Sequence, residues 1–338
     1  MYHERECIMK GNILVTGGAG FIGSHIANDL LRLDYKVVIL DDLSGGFTEN
    51  VPKGAVFVKG SILDTNLIEK LFQQYQFNYV FHLAAYAAEG LSHFIKRFNY
   101  TNNVIGSVNL INESVKHNVK CFVFTSSIAV YGANQLPMHE DLIPMPEDSY
   151  GIAKLAVEKE LEICKHMFDL NYIIFRPHNV YGENQNIGDR YRNVIGIFMN
   201  KIMQKQPVPI FGDGNQTRAF SYIGDMSPVI AASIENPACY NQIFNIGADK
   251  NYSINQLVDL VGQAMGTNVD KKYLEARNEV VHAYSDHTKI KKFFPEQPTT
   301  SIEEGLRKMA NWAKSAGSRK SKDFDNIEIT KNLPASWK

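Results

Sequence analysis

Cysteine is scarce in this chain: Cys7, Cys121, Cys164 and Cys239 are the four among 338 residues, with no C-x-x-C spacing. That excludes a disulfide-stapled scaffold and suits a reducing compartment. Long apolar runs are missing too. None approaches the roughly 18 residues of a membrane-spanning helix, and Met1 to Lys10 is charged, with no apolar core of a secretory leader. Nor is there an excess of one charge, since 35 Lys and Arg face 36 Asp and Glu. Neither nucleic acid nor an anionic membrane is therefore expected as a partner, and any phosphate contact must be local. These absences point to a cytoplasmic protein without an internal repeat. What the chain does have is apolar material, 44% of its residues, enough at this length for one large domain and a smaller lobe.

The apolar run Ile13-Leu14-Val15 stops at Gly17, Gly18, Gly20 and Gly23, with Phe21 and Ile22 inside the turn, and Ile26, Ala27, Leu30 and Leu31 then recur at helical spacing. Strand, glycine turn and helix in this order suit a dinucleotide. Side chains would block its diphosphate from the backbone, and the helix N-terminus offers unpaired N–H groups. A second strand, Val37 to Leu40, ends in Asp41 and Asp42 about 20 residues on, where an acid accepts hydrogen bonds from a ribose. No Lys or Arg follows until Lys53, so a ribose 2′-phosphate would find no partner. The expected cofactor is NAD.

Further apolar strands follow at Val56–Val58, Tyr79–Ala85, Cys121–Phe124 and Tyr172–Phe175, separated by amphipathic helices, one of them capped by Asp64. Small residues after the fourth strand, Leu83-Ala84-Ala85, would let a flat cofactor lie across the sheet edge. Continuous apolar strands alternating with helices predict an α/β fold, a Rossmann-type parallel sheet with helices on both faces. The alternation breaks after Asn179, which predicts a smaller C-terminal substrate lobe. The expected division is residues 1–178, with a return segment at about 220–247, as the NAD domain. Residues 179–219 and 248–338 make the lobe and a C-terminal tail. Within that tail, residues 315–323 read as a polar linker, and the segment after it is expected over the small lobe or against a second subunit.

Tyr150 and Lys154 fall on one face at the start of a predicted helix, just after the strand end Ser126-Ser127. A tyrosine serves as a base only if its pKa falls from about 10 toward 7, roughly 4 kcal/mol. A fixed Lys154 ammonium and a positive nicotinamide both favour the phenolate, and Ser127 can hold the reacting hydroxyl in line. His82, His178 and His282 show no metal-ligand spacing, so structural hydrogen bonding is expected of them and no metal. Glu89, after the fourth strand, lies where it could approach a substrate.

The segments Gly17 to Gly23, Ser126-Ser127-Ile128-Ala129-Val130-Tyr131-Gly132, Tyr150-x-x-x-Lys154 and Arg176-Pro177-His178-Asn179-Val180-Tyr181-Gly182 resemble the extended short-chain dehydrogenase/reductases. Within them the chain is similar to nucleotide-sugar 4-epimerases, from about Asn12 to Trp312. The resemblance implies a tightly held NAD, a UDP-hexose substrate, Tyr150 as base, and Ser127 and Lys154 assisting. It also implies a cofactor contact at Asn103 and a sugar-nucleotide contact at Asn179. Uridine and diphosphate contacts fall at Asn193, Val194, Pro209, Phe211 and Arg218, with Arg277 a second arginine. Two helices, about 99–116 and 150–167, resemble those that pair in a homodimer. The chain departs from the pattern at Ser61, where an Asp is common, and at Ala219, where an Asp often follows the arginine.

Related 4,6-dehydratases carry Asp-Glu after the active serine and decarboxylases commonly a Glu, whereas this chain has Ile128 and Ala129, which move no protons. Reversible oxidation at C4 through a 4-keto sugar is what remains, interconverting UDP-glucose and UDP-galactose. Asn179 and Asn186 stand where a glucuronate carboxylate would want a cation, which favours a neutral hexose over the rival UDP-glucuronate 4-epimerase or decarboxylase. Ala283, at the position that limits room beside C2, should admit the N-acetyl group of UDP-GlcNAc and UDP-GalNAc. A non-catalytic NAD-binding scaffold on the same fold is the remaining rival.

Overall fold

The computed structural model describes residues 9–133, 136–192, 194–276, 281–320, 324–334 and 337. Seven strands build one parallel sheet: β1 (Asn12–Thr16), β2 (Lys36–Asp41), β3 (Val56–Lys59), β4 (Tyr79–His82), β5 (Cys121–Thr125), β6 (Tyr172–Pro177) and β7 (Gln242–Ile246), in the spatial order β7-β6-β5-β4-β1-β2-β3. The order reverses between β1 and β4, and such a switch point opens the crevice where open α/β sheets bind ligands. Successive residues of β1 serve opposite faces: Ile13 and Val15 join one core, and Leu14 joins the other with Val38, Val80 and Phe122. Both faces are dry, which is why these strands read as unbroken apolar runs.

Helix α1 (Phe21–Arg32) buries Ile26, Ala27 and Leu30 against the sheet. Asp64 caps α2 (Thr65–Tyr75), accepting the Leu67 N–H at 3.0 Å. The short helices α3 (Glu89–Ser92) and α4 (Lys96–Tyr100) follow β4, and a wide turn of π-helix at Thr101–Ile105 leads into α5 (Gly106–Lys116). Beyond β5, α6 (Ser149–Phe168) carries Tyr150 and Lys154.

After β6 come α7 (Val194–Met203), α8 (Ile223–Ala232), which packs on α1, α9 (Ile254–Met265), α10 (Thr288–Phe293), which packs on β7, α11 (Ile302–Ala316) and short strands. Phe198 of α7, Leu257 of α9 and Leu306 of α11 belong to the same buried cluster as Ile13 and Phe175 of the sheet, so these helices and the sheet share one core. Thr217–Ala219 pairs with both Asn251–Ser253 and His282–Ala283, which sets Arg218 opposite Ala283. No helix of the described residues is long and apolar enough to cross a membrane.

The tail touches the 179–219 segment through Tyr191 and also covers part of the sheet domain. Helix α11 runs on to Ala316, into the stretch read as linker, and the segment from Phe324 turns back over the α3–α4 region. There the Glu328 carboxylate accepts the N–H groups of Arg97 and Phe98, both at 2.8 Å. Leu333 and Trp337 are buried beside Ala88, Leu91 and Ile95. Apolar residues and one well-placed acid in the tail find partners on the sheet domain, a match that its local sequence does not announce.

Candidate active site

The glycine turn is shaped by close approach. Gly17 has φ +70°, and a Cβ there would lie 2.7 Å from the Ala84 nitrogen; one on Gly23 would lie 2.2 Å from the Gly17 oxygen. Gly20 caps α1 without a side-chain hydrogen bond, so the first-turn N–H groups face the cavity unblocked by their own cap. That backbone cradle fits a diphosphate. Asp41 and Asp42 line the same cavity. Asp41 also accepts the Ala19 and Leu43 N–H groups at 3.0 and 2.8 Å, so it braces the turn as well. Burial pushes its carboxyl above the usual range. Ser61, in place of the common Asp, turns its hydroxyl to the Leu63 N–H at 3.2 Å.

Leu83, Ala84 and Ala85 form the wall after β4. Beneath them runs a buried chain of hydrogen bonds. Thr16 Oγ1 meets His82 Nδ1 at 2.7 Å, His82 Nε2 meets Ser107 Oγ at 2.8 Å, and Ser107 donates to the Asn103 carbonyl at 2.8 Å. Burial and the nearby Lys154 lower the His82 pKa to about 3, so this histidine is neutral and structural. Asn103 stands behind the cavity wall. It is buried, its Oδ1 accepts the Tyr86 N–H at 2.9 Å, and its Nδ2 donates to the Tyr86 carbonyl and Asn99 Oδ1. Its amide fixes the loop, and the neighbouring Asn102 lines the cavity.

Asp148 sets the start of α6, accepting the N–H groups of Tyr150 and Gly151, each at 2.9 Å; Ser92 adds a bond from the Tyr150 N–H at 3.1 Å. Tyr150 thereby faces the cavity beside Ser127, close enough for the serine hydroxyl to act on the phenol. Both residues line the cavity with Lys154 and the glycine turn. The electrostatics differ from the expectation of a fixed ammonium that lowers the phenol. Burial drives Tyr150 well above its ordinary value, and the hydrogen bond from Ser127 only partly offsets this. Lys154 is itself pulled down to about 7 by burial, against the pull of Glu158. Its ammonium donates to the Thr125 carbonyl at 2.7 Å and lies 5.7 Å from the Tyr150 ring.

One turn further along α6, Glu158 is wholly buried and pairs with Arg176 from β6 at 3.0 and 2.5 Å. Ser126 donates to Glu158 at 2.5 Å, Arg176 to the Tyr131 hydroxyl at 2.8 Å, and Tyr131 to Asn245 Oδ1 at 2.8 Å. This network fixes the strand end that carries Ser127. Such saturation is required of buried ions.

On the substrate side, Asn179, Val194, Pro209, Phe211, Arg218 and Ala283 all line the cavity. Asn193 and Arg277 lie outside the described residues. Asn179, at φ +38°, donates to the Ala219 carbonyl at 3.1 Å, and Arg218 donates to the Thr217 and Val281 carbonyls at 2.9 Å. Glu89 also borders the cavity. His178 stacks on His287 with Nε2 atoms 3.1 Å apart, and His287 pairs with Asp249 at 2.6 Å. His282 meets Thr217 Oγ1 at 2.8 Å. Among the described residues no group of three His, Cys, Asp or Glu side chains is placed to hold a metal. The cavity measures about 2250 Å3, more than one small ligand needs, so cofactor and substrate can sit together.

Residues 13–247 match the NAD dependent epimerase/dehydratase family. The chain belongs to this family. A Methanocaldococcus jannaschii protein provisionally named a UDP-glucose 4-epimerase is 37% identical over 307 residues, covering 90% of this chain and 98% of that protein. Among solved structures, UDP-glucose 4-epimerase from Thermotoga maritima with UDP-glucose superposes at TM-score 0.86 with 36% identity, over 90% of this chain and 99% of the other. UDP-N-acetylglucosamine 4-epimerase from Methanobrevibacter ruminantium M1, in complex with UDP-N-acetylmuramic acid, gives 0.85 and 32%, over 91% and 100% of the two chains. UDP-glucuronic acid 4-epimerase from Bacillus cereus, with UDP-glucuronic acid and NAD, gives 0.82 and 30%, over 90% and 99%. The Rossmann-type sheet and the NAD dependence expected from the sequence therefore stand.

Proposed function

We propose that this protein is an NAD-dependent 4-epimerase that interconverts UDP-glucose with UDP-galactose and UDP-GlcNAc with UDP-GalNAc. The observation that carries it is the meeting of Ser127, Tyr150, Lys154 and the Gly17–Gly23 turn in one cavity. NAD, held at the Gly17–Gly23 turn, would supply a reversible acceptor for the C4 hydride and, when oxidised, a positive charge that favours the phenolate. Tyr150, steadied by Ser127, takes the proton of the sugar 4-hydroxyl as the 4-keto sugar forms, and returns it after the sugar has turned. Burial keeps the phenol protonated until a positive charge is beside it, which confines its basicity to the loaded site. Ile128 and Ala129 add no acid or base, and none is required.

Arg218 suits the diphosphate, because its planar fork grips phosphate oxygens, and Val194, Pro209 and Phe211 supply an apolar seat for uracil. Ala283, small and buried on the wall, leaves room for an N-acetyl group. We assign the sheet with its return strand β7 to NAD and the segments 179–219 and 248–320 to the UDP-sugar. Ile152, Ile163 and Met167 are exposed on one face of α6, and this apolar stripe supports a homodimer. The buried free thiols Cys121, Cys164 and Cys239 support a cytoplasmic setting.

The likeness to the Bacillus cereus enzyme favours a second reading, 4-epimerisation or decarboxylation of UDP-glucuronate. Against it stands Asn186, a neutral amide whose Oδ1 accepts the Gly188 N–H at 3.2 Å. The test is a panel of UDP-sugars incubated with the purified protein without added NAD and followed by NMR. Inversion at C4 of UDP-glucose and UDP-GlcNAc is expected. Turnover of UDP-glucuronate alone, or release of carbon dioxide, would overturn the assignment, and a Tyr150→Phe variant with the parent's biological activity unchanged would favour the scaffold.

A further inference from the structure

The loop between Gly182 and α7 does more than approach the substrate. It is pinned to the sheet domain on the β2 side of the crevice. Asn184 donates to Ser24 Oγ at 3.1 Å, Asn50 donates to the Asn184 carbonyl at 3.1 Å, and His25 contacts the Glu183 carbonyl at 3.0 Å. From this loop Arg192 reaches across the crevice. A Cβ on Gly45, in the turn after β2, would lie 3.5 Å from its Nη2, and its guanidinium sits 4.8 Å from the centre of the Tyr86 ring, after β4. Since β1 lies between β2 and β4, a guanidinium close to the turns after both stands at the β1 end of the crevice, in the cavity that the glycine turn also lines.

Three features hold it there. Asp189 accepts from its Nε at 2.7 Å, and the Arg192 and Asp189 side chains are only 16% and 10% exposed. Tyr86 is locked by Asn103 and packs edge-on to Phe98 at 5.3 Å. The tail then closes on the loop, with Trp337 5.4 Å from the Tyr191 ring and the Phe324 N–H donating to the Tyr191 hydroxyl at 3.2 Å. A largely buried guanidinium above a helix N-terminus completes a positive enclosure on two sides of the place a dinucleotide diphosphate must occupy.

We propose that Arg192 is a clasp over the cofactor diphosphate, held shut by Asp189, Tyr86 and the C-terminal segment, and that it keeps NAD from exchanging between turnovers. This rests on the NAD-dependent reading above and adds to it the residue that retains the cofactor and a role for the tail. A charge-assisted arginine–phosphate contact predicts that its loss weakens NAD binding about 10- to 100-fold.

The experiment measures NAD per chain, by chromatography of the nucleotide released on denaturation, after extended dialysis of parent, Arg192→Ala, Arg192→Lys and Trp337→Ala proteins. The parent should keep its NAD and Arg192→Ala should lose most of it, with refilling at added NAD. Arg192→Lys should lie between them, since lysine lacks the planar fork and the stacking on Tyr86, and Trp337→Ala should leak faster than the parent. Equal retention by Arg192→Ala and parent would overturn the clasp, as would full NAD with a raised KM for UDP-sugar, which would move the arginine to the substrate. Should circular dichroism show Arg192→Ala unfolded, Arg192→Lys decides in the same way. A folded parent that neither carries nor takes up NAD would sink the underlying function as well, so the two failures are distinguishable.

Discussion

Replacing Lys154 by methionine should stabilise the NAD-free protein while abolishing its activity. Lys154 is 3% exposed, and its pKa falls from 10.5 to about 7 on folding. At about 1.4 kcal/mol per tenfold change, keeping this lysine in the folded state at neutral pH costs roughly 4 kcal/mol against the unfolded chain. The sign follows from proton counts. Between pH 7 and 10.5 the unfolded chain holds the proton that the folded protein has released, so stability rises with pH through that window. Below pH 7 both states are protonated and the deficit is at its full size. Methionine removes the charge but also forfeits the bond to the Thr125 carbonyl, about 1 kcal/mol, so a net gain of about 3–4 kcal/mol is expected at pH 6. Urea unfolding of both proteins, stripped of nucleotide, from pH 6 to 9 is the assay. The parent should gain about 2–3 kcal/mol on the variant across that range. A variant less stable than the parent at pH 6, or a constant difference, would refute the claim that Lys154 is held at the expense of the fold.

Removal of the α6 cap in Asp148→Ala should lower stability by about 1–2 kcal/mol and reduce kcat more than it raises KM, because it frees the turn that aims Tyr150; steady-state kinetics with Asp148→Asn as the milder control would show this. Glu158→Leu leaves Arg176 buried without its partner and should cost about 3–5 kcal/mol; chemical denaturation should find much of that returned in the double variant Glu158→Leu/Arg176→Met. Ala283→Tyr should abolish turnover of UDP-GlcNAc while sparing UDP-glucose, as read from initial rates on the two substrates, and equal loss on both would remove Ala283 from the sugar wall.

Much of this was legible beforehand because it is local. The glycine turn, the strands and the Tyr150–Lys154 pair each declare themselves within a few residues, and backbone geometry turns that spacing directly into a shared face or a tight turn. Asp148 was readable in principle as an acid just ahead of a predicted helix. Glu158 left a fainter trace, a charge on the same helix face as Lys154 and Leu161. Position in a motif does not say which way an amide points, and at Asn103 both ends bond within the chain itself.

The sequence by itself determined the alternation of strands and helices, the dinucleotide turn and the set of groups available for proton transfer. Only the tertiary structure decided the sign of the field at Tyr150, the pairing of Glu158 with Arg176 and the passage of Arg192 and the tail over the crevice. The reason is physical: desolvation and Coulomb forces depend on how deeply a group is buried and on what stands within a few ångströms of it, and those neighbours come from other segments, 18 residues away for Glu158 and Arg176 and more distant still for Tyr86 and Arg192.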